Sequence, residues 1–136
     1  SKKAEYNEFD IDTYNFSKIY KQLKKSLAFF DDHVSQLKRF QLSDRLDIPY
    51  MVFDDDIRYE AIHSDGWPAI PTISMMRDRN FLRKGAWNNF GKIAKFNFKD
   101  KIDKKKLKKY LFVTAPNISE ITGYYIQCPM TFVVKK

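Results

Sequence analysis

A single cysteine in 136 residues, Cys128, excludes an intrachain disulfide and leaves cysteine-based zinc or iron–sulfur sites without ligands. Two histidines, His33 and His63, are too few for a dedicated imidazole metal site. Glycine is scarce, at four residues, and neither a P-loop nor a zinc finger occurs. No apolar run approaches the length that spans a bilayer. The start, Ser1-Lys2-Lys3-Ala4-Glu5-Tyr6, is polar and lacks the apolar core of a secretory signal. These absences fit a reducing compartment, cytoplasm or nucleus, as the expected location. They leave no metal and no cofactor to assign.

What is present is a foldable composition with two excesses. Hydrophobic residues make up 43% and charged residues 31%, which argues against wholesale disorder. The length suits one core, so residues 1–136 read as a single domain, with 1–13 as an extended arm. The excesses are aromatic, at 16%, and basic, at a net +8.

The charge is not evenly spread. Residues 1–65 carry ten basic and thirteen acidic side chains; residues 66–136 carry fifteen and four. Thirteen of those fifteen cations lie between Arg77 and Lys109, among only three acids. A basic segment behind an acidic half points to an anionic partner.

Apolar spacing gives the expected elements. Phe16, Tyr20, Leu23, Leu27, Phe30, Val34 and Leu37 recur at intervals of three and four, the stripe of an amphipathic α-helix over 15–41, capped by Asn15 or Asp12. Tyr50-Met51-Val52-Phe53 and 57–62 read as two strands around the acidic turn Asp54-Asp55-Asp56. Pro71 makes 69–76 an irregular edge strand at most. Residues 77–91 show no firm period; 93–98 reads as a strand, Asp103 as the cap of a helix over 104–110, and 111–114 and 130–134 as strands. The expected fold is α+β: a long N-terminal amphipathic helix packed on a small, mainly antiparallel sheet.

Three constellations bear on function. The sharpest is the basic, aromatic segment. Arg77, Arg79, Arg83, Lys84, Lys92 and Lys95 alternate with rings that include Trp87 and Phe90, and Lys104, Lys105 and Lys108 follow on the expected helix. Single-stranded nucleic acid needs both kinds of group, cations for phosphates and flat apolar faces for unstacked bases. Core aromatics with cations merely solvating the outside would give the same composition. The second constellation is Asp54-Asp55-Asp56 after an apolar strand, where crowded carboxylates can hold a divalent cation for phosphoryl or glycosyl transfer, or simply form a solvated turn. The third is the helix 15–41, whose stripe offers a seam for a homodimer.

Residues 19–62, with Leu23-Lys24, Pro49 to Phe53 and Ile57, resemble in outline the helical domain at the C-terminus of RecQ-type helicases. That family continues with helices where this chain has Trp67-Pro68, Pro71 and Gly85, so no family is assigned on it.

The sequence therefore favours binding over catalysis, with nucleic acid as partner and no membrane. Its alternatives are a protein–protein module meeting an acidic protein surface, such as a phage, viral or mobile-element assembly factor, and a small metal-dependent enzyme built on Asp54 to Asp56. No catalytic residue is assigned.

Overall fold

In the computed structural model, which describes residues 10–32, 34–56, 71–79, 84–89, 92–99, 103–116, 121 and 129–136, the stretch 15–41 is not one helix. It holds a 3₁₀ turn, a four-residue helix α1 (Tyr20–Leu23), a strand β1 (Leu27–Phe30) and a ten-residue helix α2 (Gln36–Arg45). The chain leaves α1 through Lys24-Lys25-Ser26. The Ala28-Phe29-Phe30 sequence, β-prone in its aromatics, then finds a ladder in β2 (Tyr50–Phe53). Ser35 starts α2 afresh, its hydroxyl accepting from the Lys38 N–H. Of the seven positions in the three/four spacing, two belong to the core cluster, while Tyr20 and Leu27 are exposed. Phe30 from β1 and Leu37 from α2 both enter the core, from different elements.

The C-terminal end of α2 shows why an aspartate ends it. Asp47 takes the left-handed conformation, φ 60°. The Ile48 N–H bonds the Ser43 carbonyl and the Asp47 N–H bonds that of Asp44, the paired closure of a Schellman motif. Glycine is the usual residue here because it lacks a Cβ. Aspartate tolerates the conformation, and its carboxylate collects Lys24 and Lys135.

A short helix α3 (Ile73–Arg77) follows, capped by the Thr72 hydroxyl, where an irregular edge strand was expected; Pro71 precedes the cap and so does not obstruct the helix. β3 (Lys84–Asn89) and β4 (Lys92–Asn97) pair antiparallel as the two arms of a hairpin. Asp103 caps α4 (Lys104–Leu107) through the Lys105 and Lys106 N–H groups, as expected. β5 (Tyr110–Thr114) and β6 (Thr131–Lys135) complete the main sheet. The expected strand 57–62 and residues 1–9 of the expected arm lie outside the described residues.

The fold is α+β. Its sheet has four strands in the order β1-β2-β6-β5. β1 and β2 are parallel, joined through α2, while β2/β6 and β6/β5 are antiparallel, so the sheet is mixed. Register and strand alternation put Phe30, Met51, Phe53, Val133 and Tyr110 on one face. These residues form the core with Leu37 and Phe40 of α2, Ile73 and Met76 of α3, and Leu107 of α4. The three helices therefore share one side of the sheet. Burying ten such side chains, each contributing about 1.5–3 kcal/mol, is the main stabilising term.

Candidate anion-binding surface

Described carboxylates of the first half are bound into the fold. Arg39 of α2, its side chain only 3% exposed, lies 2.6 Å from Asp32, 3.0 Å from Asp10 and 3.2 Å from Asp12. A buried guanidinium needs such partners, and here they tie the N-terminal 3₁₀ turn (Ile11–Thr13) to α2. The hydrogen bond from Arg39 holds the Asp10 carboxyl below its ordinary range. Burial works against the charge on Arg39, but the bonds to Asp10 and Asp32 outweigh it and raise its affinity for the proton. Asp44 accepts from Lys106 Nζ and from the Tyr110 hydroxyl, each at 2.7 Å. Burial alone would raise the Asp44 carboxyl; those two bonds reverse the sign and lower it. Burial, then the bond to Asp44, pushes the Tyr110 phenol up. The bonds from Lys135 and Lys24 likewise lower Asp47.

The acidic turn is structural in the same way. Asp56 is fully buried and accepts from the Ser74 N–H at 2.6 Å and the Ser74 hydroxyl at 2.9 Å. Gln36, also buried, donates to the Asp54 carbonyl at 2.5 Å and accepts from the Ile73 N–H at 2.9 Å. Together they fasten the end of β2 to the start of α3. Among the described residues no group of three His, Cys, Asp or Glu side chains could hold a metal ion. The Asp56 carboxylate is aimed at α3.

The cations of the second half stand differently. Lys104 Nζ donates to the Met76 carbonyl at 2.6 Å and the Asp78 carbonyl at 3.0 Å. That bond draws the C-terminal end of α3, with Arg77 and Arg79, beside the first turn of α4, with Lys105. At the other end of α4, Lys136 donates from its backbone to Lys109 and from Nζ to the Lys108 carbonyl, bringing the last residue to Lys108 and Lys109. Arg77 lies over the Phe112 ring, 4.9 Å from its centroid, which orients the guanidinium without neutralising it. Arg79, Lys105, Lys108 and Lys109 are exposed and, among the described residues, have no carboxylate partner. A cleft of about 390 Å³ opens alongside, lined by Leu37, Phe40, Arg45 and Lys106 among others.

Of the sequence-derived site residues, then, Lys104 brings Arg77, Arg79 and Lys105 together, while Lys108 lies at the far end of α4 beside Lys136. Lys104 differs from its neighbours, since its charge is spent on backbone carbonyls. Lys84 and Lys95 are exposed on the hairpin, where register sets Lys84 opposite Asn97 and Lys95 opposite Ala86. Trp87 sits in β3 opposite Ala94, and Lys92 in β4 opposite Asn89. Arg83 and Phe90 lie outside the described residues. Sequence reasoning missed Lys136, which reaches α4 only through the β6–β5 pairing; nothing local signals it.

Among the described residues no helix is long and apolar enough to cross a membrane. No family model, no curated protein and no solved structure matches this chain.

Proposed function

We propose that the chain binds nucleic acid, single-stranded DNA or RNA, through the basic surface of α3 and α4 together with the β3/β4 hairpin. The observation that carries this reading is the Lys104 tie, which gathers Arg77, Arg79 and Lys105 from separate segments while leaving their charges without a carboxylate partner among the described residues. Uncompensated cations crowded on one side repel each other, and a polyanion relieves that repulsion while releasing its own counterions. Arg77, Arg79, Arg83, Lys84, Lys92, Lys95, Lys105 and Lys108 contact phosphate in this reading. Trp87 and Phe90 offer stacking faces, a contribution that tolerates any base and so carries little sequence preference. Lys104 positions the surface and does not itself touch the ligand.

A labelled single-stranded oligonucleotide titrated at about 50 mM salt tests this, because phosphate-dominated affinity is strongest there and falls steeply as salt rises. Absence of binding at that salt overturns the reading. Capture of an acidic protein that survives nuclease treatment would transfer the same surface to a protein partner.

A further inference from the structure

The face of the sheet turned away from the helices is apolar throughout. Register places Leu27, Tyr50, Val134 and Leu111 in one row across the four strands, and Phe29, Val52, Phe132 and Val113 in the next. No position in either row carries a formal charge. Six of the eight, Leu27, Phe29, Tyr50, Leu111, Val113 and Phe132, are between 40% and 57% exposed, while Val52, set between Phe29 and Phe132, is buried and Val134 is half-buried. Strands of a sheet with one face in water normally alternate apolar with polar residues; this mixed sheet places apolar residues on both faces. The exposed area of the six is on the order of 600 Å², at the upper end of what a soluble monomer leaves open.

We infer that this face is the contact between two copies of the chain. Two such patches pressed together remove about 1,200 Å² from water, the lower bound for a specific protein–protein interface. Their composition suits the purpose, since homodimer contacts are more apolar than other interfaces. A two-fold axis through the patch sets the same rows against each other, two sheets stacking about 10 Å apart as in a β-sandwich. A partner of different sequence would bring no charge complementarity to a face with no charges, whereas a second copy matches it in area and chemistry. The placement also suits the basic surface. Leu107 of α4 and Met76 of α3 enter the core from the opposite side of the sheet, so the dimer leaves both cationic surfaces outward. The contact replaces the seam expected along 15–41, which does not exist as one helix.

Each copy carries a net +8, so the two repel. Salt screens that repulsion and tightens the dimer, while it weakens phosphate binding. The opposite salt responses separate the failure of this inference from the failure of the nucleic-acid reading. The experiment is analytical ultracentrifugation of the full chain, free of nucleic acid, from about 1 to 100 µM, the range that resolves a micromolar dissociation constant. The expected result is a species of twice 16.2 kDa that persists to lower concentration at high salt. Phe29→Lys and, separately, Leu111→Lys should give monomers with unchanged far-ultraviolet circular dichroism, because both side chains already face outward. A wild-type monomer at the top of the range overturns the inference. So does a dimer that survives both substitutions in folded protein. If either lysine variant does not fold, the milder Val113→Thr should still raise the dissociation constant by about threefold to tenfold, and an unchanged constant counts against the inference.

Discussion

The two halves of the chain use charge in opposite ways. In the first, described carboxylates are paid out to named donors: Asp10, Asp12 and Asp32 to Arg39, Asp47 to Lys24 and Lys135, Asp44 to Lys106 and Tyr110, Asp56 to Ser74. In the second, Arg79, Lys105, Lys108 and Lys109 meet no carboxylate among the described residues. Among the described residues, then, folding engages carboxylates of the acidic half and leaves part of the basic half, Arg79, Lys105, Lys108 and Lys109, without a carboxylate partner. Folding explains the first kind of charge, and it gives no reason for the second. The unexplained part is what a binding function has to account for.

Substitutions should separate the halves, and the largest effect belongs to the buried carboxylate. Asp56→Ala leaves the Ser74 N–H and hydroxyl without their acceptor and should cost about 3 kcal/mol in urea unfolding. A loss near zero would mean that water replaces the carboxylate and that the turn is not structural. Arg39→Met comes next, at about 2 kcal/mol: it breaks three ion pairs, but the three carboxylates are partly exposed and can re-solvate. Lys104→Met should cost only about 1 kcal/mol, since its bonds to two carbonyls lie near solvent. It should also weaken nucleic-acid binding, by letting α3 part from α4.

Acid provides an independent break. Asp10, Asp44 and Asp47 all titrate lower in the folded chain than an unperturbed carboxyl. Their contribution is therefore complete above the unfolded value of about 3.9 and is lost as pH falls through the lower folded values. Stability followed by circular dichroism should be flat near neutrality and fall below about pH 4. A decline that begins above pH 5 would place the dominant titration elsewhere.

The parts of this architecture differed in how far the sequence disclosed them. Local signals were legible. Asp103 as a cap, the strands at 50–53 and 111–114, and the strand beginning near Thr131 all follow from short-range chemistry, although Tyr110, expected to end the helix, opens the strand instead. The long helix failed because its spacing mixes residues of separate elements, with Phe30 and Leu37 entering the core and Tyr20 and Leu27 exposed, and the pairing of Leu27–Phe30 with Tyr50–Phe53 makes the middle of the stretch a strand. The basic segment was visible as composition. Its division into a spent Lys104, a spent Lys106 and free neighbours was not, because the partners, Met76 and Asp44, lie 28 and 62 residues away. The open apolar face was invisible for the same reason: its rows exist only once four strands are in register.

The most direct test of the central claim is the salt dependence of single-stranded oligonucleotide binding by wild type and by the triple variant Arg79→Ala/Lys105→Ala/Lys108→Ala. The account predicts that the variant folds with stability within about 0.5 kcal/mol of wild type, as exposed unpaired cations require. It also predicts a log–log salt slope shallower by about 2, three phosphate contacts at roughly 0.7 each. A variant that binds with the wild-type affinity and slope, or one whose stability falls along with its binding, would contradict it.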